Sequence, residues 1–246
     1  MRFVLTAAVL ALSLSAARAD DAAKAIVEKA ITATGYKPGD AVAPMTWKAK
    51  GHLTAFGMKI PYTSDWTFQA PDKLRFTFAG EFGGMKMSIV VVTNGDKAWG
   101  AAMGRVEDFE PEKREYTVNQ TYHLHVLKLL PLVTDKAFQL ATAGEKDVGG
   151  KKAAGVTVTR DKRPTVTLFF DKTTGLLVKS EATVKDEFQG WKVVPEESFF
   201  EDYKDVGGKK VFTTMRVVRD GKVMIESELS DQKWPGKLDA KTFEKP

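Results

Sequence analysis

From Trp47 onward apolar side chains recur at every second position over most of the chain, a spacing that restricts it to strands with one buried face. Trp47, Ala49, Gly51 and Leu53 alternate with Lys48, Lys50, His52 and Thr54. Ile60, Tyr62, Ser64, Trp66 and Phe68 alternate with Pro61, Thr63, Asp65 and Thr67 in the same way. Ala-Pro-Asp-Lys at 70–73 ends this second strand, Leu74, Phe76 and Phe78 mark a third, and 85–93 forms a fourth that meets 97–101 across Asn94-Gly95-Asp96. Asn-Gly signals a tight hairpin, since both its turn positions need positive φ. Strands resume at about 138–145, 153–160, 165–171, 176–185, 191–203, 211–219 and 222–232. About eleven or twelve sequential strands with short connections predict a mainly β fold: an antiparallel meander that curls or packs on itself to protect its faces.

Two segments keep a helical period instead. Ala23, Ile26, Val27, Ala30 and Ile31 form one stripe within 20–34, with acids at its start and Gly35 beyond its end. In 111–135 the stripe is Tyr116, Gln120, Leu124, Leu127 and Leu130, widened by Val126 and Leu129, and Pro131 is expected to end or kink that helix. The segment Lys-Asp-Val-Gly-Gly-Lys-Lys occurs at 146–152 and again at 204–210. Its spacing is too long and too poorly kept for a solenoid, so repeated hairpin chemistry is the expectation ahead of a duplication.

The first nineteen residues place Arg2 before an apolar run and end in Ala17-Arg18-Ala19, the pattern of a secretory leader cleaved after Ala19. A spanning helix needs about twenty unbroken apolar residues, and Arg18 with Asp20-Asp21 stops this run short. The expected product is one exported, periplasmic domain of residues 20–246, a monomer touching membranes only transiently. There is no cysteine, hence no disulfide framework, no thiolate chemistry and no acceptor for a lipid anchor at the cleavage point. The 37 basic and 32 acidic residues are intermixed, a balance that argues against a nucleic-acid partner.

Catalytic patterns are absent: the sequence contains neither G-x-S-x-G nor H-E-x-x-H, and no phosphate-cradling glycine loop. Of the three histidines, His123 and His125 lie two apart on a helix and face different ways, so no metal pair is expected, and all three are expected to be solvated or capping. Glu196-Glu197 and Glu201-Asp202 are read as a solvated strand edge. Arg75 shares the parity of Thr77 rather than of Phe76 and Phe78, which predicts a solvent-facing side chain. No cofactor is expected.

Phe68 to Phe76 (FQAPDKLRF), 90–100 (VVVTNGDKAWG) and 168–181 (LFFDKTTGLLVKSE) carry a P-x-x-x-R strand exit, a G-x-x-x-W hairpin and a D-x-x-T-G-L hairpin, in that order and with the helix between the last two. In this frame the chain resembles the bacterial lipoprotein-localisation carriers of the LolA/LolB type and the wider outer-membrane lipoprotein-sorting family. The resemblance implies an incomplete antiparallel β-barrel, closed on its concave side by helices, that holds acyl chains.

Trp47, Trp66, Phe68, Phe76, Phe78, Met87, Ile89, Val91 and Trp99 are the candidates for the wall of such a concavity, because aromatic and Met side chains give large, adaptable apolar area. Leu124, Leu127 and Leu130 are the candidates for a helical lid over it. The expected function is a carrier or sensor of lipid or of lipoprotein acyl chains. The alternative is a non-catalytic envelope module with a filled core that presents its sheet to a protein partner.

Overall fold

The computed structural model describes residues 21–246, so the leader lies outside the described residues. Five strands follow the first helix, α1 (residues 21–33): β1 (Met45–Ala55), β2 (Met58–Gln69), β3 (Lys73–Phe82), β4 (Met85–Asn94) and β5 (Lys97–Ala102). A short β6 (Arg105–Asp108) leads into α2 (Pro111–Val126) and α3 (Leu130–Thr134). Strands β7 (Gln139–Val148), β8 (Lys151–Thr159), β9 (Val166–Asp171), β10 (Leu177–Asp186) and β11 (Lys192–Glu201) come next. The small hairpin β12 (Lys204–Val206) and β13 (Lys209–Val211) precedes β14 (Thr214–Arg219) and β15 (Lys222–Lys233).

Thirteen of the strands form one antiparallel sheet in the order β6-β5-β4-β3-β2-β1-β15-β14-β11-β10-β9-β8-β7. It consists of two meanders joined where β1 pairs with β15. The sheet is curved and does not close, as the alternation and the resemblance led one to expect, with β6 and β7 at its free edges. Because these edge strands are consecutive in sequence, the chain must travel from one edge to the other, and α2 and α3 are that crossing. The helix in mid-sequence is therefore a strap over the concave face.

Both copies of the repeated heptapeptide make tight turns: Gly149-Gly150 joins β7 to β8 and Gly207-Gly208 joins β12 to β13, with all four glycines at positive φ. Asp147 Oδ1 accepts from Gly150 N at 2.8 Å and Asp205 Oδ1 from Gly208 N at 2.9 Å. Both copies make the same kind of turn, and only the second copy adds strands that alternation did not resolve, each three residues long.

The β4–β5 turn departs from expectation. Asn94 pairs with Lys97, leaving Gly95-Asp96 as the two-residue loop, and of these two only Gly95 takes positive φ. A loop one residue shorter flips every following side chain to the other face. Val91 therefore lies opposite Gly100, while Trp99 lies opposite Val92 on the convex side, where Asp108 is its neighbour on β6.

The core is asymmetric. The buried stripe of α1, with Val126, Leu129, Leu130 and Leu132, fills the concavity over β7 to β11 against Val156, Val158, Leu168, Phe170 and Phe200. Over β1 to β5 the helical cover is thinner, and the apolar side chains form two smaller groups.

Candidate functional site

On the concave face of β1, β2 and β3, Trp47, Trp66 and Phe76 lie directly opposite one another in the sheet register. Their rings stack as a column, Trp47 on Trp66 at 5.4 Å between centroids and Trp66 on Phe76 at 4.5 Å. Trp66 Nε1 donates to Ser64 Oγ at 2.7 Å, so the indole's polar atom is satisfied within its own strand. One step toward the β1–β2 turn, Tyr62 stacks on Phe78 at 5.1 Å. Phe78 is itself opposite Ile89, and Gly80 opposite Met87, on the same face.

Burial along this wall is graded. Phe68 and Leu74, at the end near the β2–β3 turn, are fully buried, and Trp47 and Val91 are buried. Trp66, Phe76, Phe78, Met87 and Ile89 are only half-buried. The wall is thus a trough, sealed at one end and open toward the turns that join β1 to β2 and β3 to β4.

Helix α2 seals it in part. Leu124 packs on the Trp47, Phe68 and Leu74 group, and Val118 packs on Val91 and Ala98. Gly100 permits the approach, since a Cβ there would stand 2.4 Å from the Phe109 ring that leads into the helix. Leu127 and Leu130 do not reach the trough: the helix breaks after Val126, Leu129 takes φ of 60°, and both side chains enter the filled core over β7 to β11. Of the three residues expected in a lid, only Leu124 lies over the trough. Of the proposed wall residues, Trp99 is the one on the wrong face.

The buried face of α2 is also rotated from the apolar stripe. Tyr116, Gln120, Leu124 and Leu127 are all half-buried flanks, while Thr117, Val118, Thr121, Tyr122, His125 and Val126 face inward. Thr117 and Thr121 can be buried because their hydroxyls donate to Lys113 O and Thr117 O one turn back, and Thr121 also meets Thr93 Oγ1 at 2.9 Å.

Beside the trough lies a second feature that strand alternation concealed. Glu196 is 4% exposed, and its Oε2 accepts from Arg219 Nε at 2.7 Å. Arg219 also donates to the Tyr116 hydroxyl at 2.7 Å and stands 3.6 Å from Asp186. His123 Nε2 is 3.1 Å from Ser180 Oγ, with Glu196 Oε1 4.0 Å from its other ring nitrogen. Glu196 is therefore no solvated edge residue, while its neighbour Glu197 points outward to Lys179. Burial of Tyr116 pushes its hydroxyl up to about 12, although Arg219 opposes the shift. A groove of about 270 Å³ runs alongside, lined by Tyr116, Gln120 and His123 of α2 and by Ala182, Val184 and Val193 of the sheet.

His123 and His125 are both buried, contrary to the solvated role expected of them, and they do face apart: His125 tilts against Phe138 at 5.6 Å between ring centroids. Burial lowers both, His125 to about 4, with Arg160 adding to the effect, and His125 Nδ1 has no hydrogen-bond partner. A base whose pKa falls on folding costs nothing above its unfolded pKa near 6.5, but below it the unfolded chain takes a proton that the native one refuses. Stability should consequently fall between about pH 6.5 and pH 4, by up to about 3 kcal/mol from His125. Urea melts at pH 7 and pH 4.5 should show a markedly smaller loss in His125→Phe than in the parent; equal losses would remove His125 as the cause.

Lys128, at the break after α2, lies beside the sealed end, with Nζ 2.8 Å from Met45 Sδ and 5.4 Å from the Phe68 ring centroid. Burial lowers it to about 8. Arg75 stands on the face opposite Phe76, as its parity required, but is half-buried rather than fully solvent-facing. Among the described residues no helix is long and apolar enough to cross a membrane.

No protein-family model matches the sequence, and no curated protein does. Solved structures do match. A LolA superfamily protein from Nitrosomonas europaea is 13% identical, with a TM-score of 0.58 over 91% of this chain and 97% of that one. A putative outer membrane lipoprotein-sorting protein domain from Vibrio parahaemolyticus is 10% identical, with a TM-score of 0.59 over 91% and 97%. A DUF1329 family protein from Desulfovibrio piger is 14% identical, with a TM-score of 0.57 over 92% and 97%. The chain has the LolA-like fold.

Proposed function

We propose that the protein is an exported carrier or sensor that holds an acyl chain, of a lipid or a lipoprotein, in the trough of Trp47, Trp66, Phe68, Phe76, Phe78, Met87, Ile89 and Val91, with Leu124 as its partial cover. It acts in the envelope by binding rather than by catalysis. The observation that carries this reading is the graded burial of the aromatic wall. Large stacked rings, closed in at the Phe68 end, are left half-exposed at the other, which leaves apolar surface unburied unless something apolar lies along it. The LolA-like fold supports the reading, since two of the matching structures bear the names of LolA and of lipoprotein sorting.

A chain leaving water recovers about 0.8 kcal/mol per CH₂. The bilayer offers it nearly the same gain, so transfer between the two is close to balance and reversible. Titration with a fluorescent fatty acyl probe tests the proposal. The parent should bind saturably, and Phe78→Glu, which plants a carboxylate in the open section, should weaken binding by roughly tenfold or more. Absence of saturable binding by the parent, or equal binding by the variant, would refute it.

A further inference from the structure

Among the described residues seven large apolar side chains stand out as exposed: Phe56, Met58, Met85, Met103, Val106, Val193 and Val223. All seven lie at or within three residues of five hairpin turns, and the register places those turns side by side at one end of the sheet. In sheet order they join β5 to β6, β3 to β4, β1 to β2, β14 to β15 and β10 to β11. Met103 is 87% exposed and Phe56 72%. The curvature brings the row together, for Phe56 of the β1–β2 turn meets Phe188 of the β10–β11 turn edge-on at 5.5 Å. The turns at the opposite ends of these strands present Ala70-Pro71-Asp72 and Gly95-Asp96 instead.

Each of the five turns also carries a cation just after its tip: Arg105, Lys86, Lys59, Lys222 and Lys192 in the same order. Lys86, Arg105 and Lys222 make no ion pair among the described residues, whereas Lys59 reaches Glu226 at 2.8 Å and Lys192 approaches Asp220 at 4.0 Å. The glycines at four of the tips face open space, since a Cβ added at Gly57, Gly83, Gly84, Gly104 or Gly221 would meet nothing within 4 Å.

We infer that this rim docks on the surface of an anionic lipid bilayer, its apolar tips entering the boundary between headgroups and acyl chains while Lys86, Arg105 and Lys222 meet lipid phosphates. A protein partner calls for a continuous packed surface, but exposed apolar side chains at the tips of successive hairpins, each followed by a long cationic side chain, suit a fluid interface that closes around them. The open end of the trough, at Phe78, Met87 and Ile89, faces the same rim. On the acyl-carrier reading, docking would therefore bring the mouth of the trough to the bilayer without an aqueous gap, although docking itself does not need that reading.

Co-sedimentation with vesicles of phosphatidylethanolamine and phosphatidylglycerol, against phosphatidylcholine alone, tests the inference. The parent should bind the anionic vesicles, and Phe56→Ser with Met85→Ser and Met103→Ser should reduce binding by at least roughly tenfold. A second variant, Lys86→Glu with Arg105→Glu and Lys222→Glu, should lose the preference for anionic vesicles. Both variants alter exposed positions and should keep the parent's affinity for a soluble acyl probe. Failure of the parent to sediment with anionic vesicles, or sedimentation of the apolar variant equal to the parent's, would overturn the docking. Vesicle binding without probe binding would sustain the docking and remove the acyl cargo instead.

Discussion

Glu196→Ala should lower the free energy of unfolding by about 4 kcal/mol, the usual cost of leaving one member of a buried ion pair without its partner. Arg219 would lose the carboxylate that accepts from its Nε and keep only Asp186 at 3.6 Å and the Tyr116 hydroxyl. The residue is almost wholly out of water, so solvent cannot take the carboxylate's place. Urea denaturation of the single variant and of Glu196→Ala with Arg219→Met provides the check. The double variant, which removes the stranded charge as well, should recover a substantial part of the loss. A single variant within 1 kcal/mol of the parent would mean that the pair is compensated locally.

Phe68→Ala should cost about 3–5 kcal/mol, the range for deleting a fully buried aromatic ring. It should also act on the trough, because Phe68 forms its sealed end together with Trp47 and Leu74. On the proposed function the vacated volume extends the trough, so the variant should accept a longer acyl probe relative to a short one than the parent does. Calorimetric or urea melts give the stability and paired titrations the preference. A stable variant with unchanged preference would place the trough's end elsewhere.

The strands of the first half were legible in sequence because each buries one face only, and a half-buried strand alternates. The sides of the trough could be read in the same way from Trp47 to Val91. Trp99 could not, since its face depends on whether the β4–β5 loop holds two residues or three, and the segment Asn94-Gly95-Asp96 satisfies either count. The inward face of α2 was hidden for a different reason: Thr117, Thr121 and His125 read as polar, yet the threonines return their hydroxyls to their own helix and His125 is buried neutral. Glu196 and Arg219 are twenty-three residues apart and meet only through the pairing of β11 with β14, so neither could announce its partner. The β12–β13 hairpin, with three residues per strand, is too short to show a period.

The seam between β1 and β15 sets a condition on assembly. Its two strands come from opposite ends of the chain, and among the described residues theirs is the one strand pairing that joins the two meanders, the other links being the helical strap and side-chain or turn contacts such as Phe56 on Phe188 and Ala240–Phe243 on β3. A chain delivered from its N-terminus can therefore form the first meander early, but it must wait for the region around residues 225–233 before the halves can be stitched together. Until then β1 shows an unpaired edge to its surroundings, and such late, long-range pairing makes folding slow and dependent on protection from aggregation. A truncation that removes β15 should accordingly leave two meanders with no common ladder rather than a slightly smaller version of the same sheet.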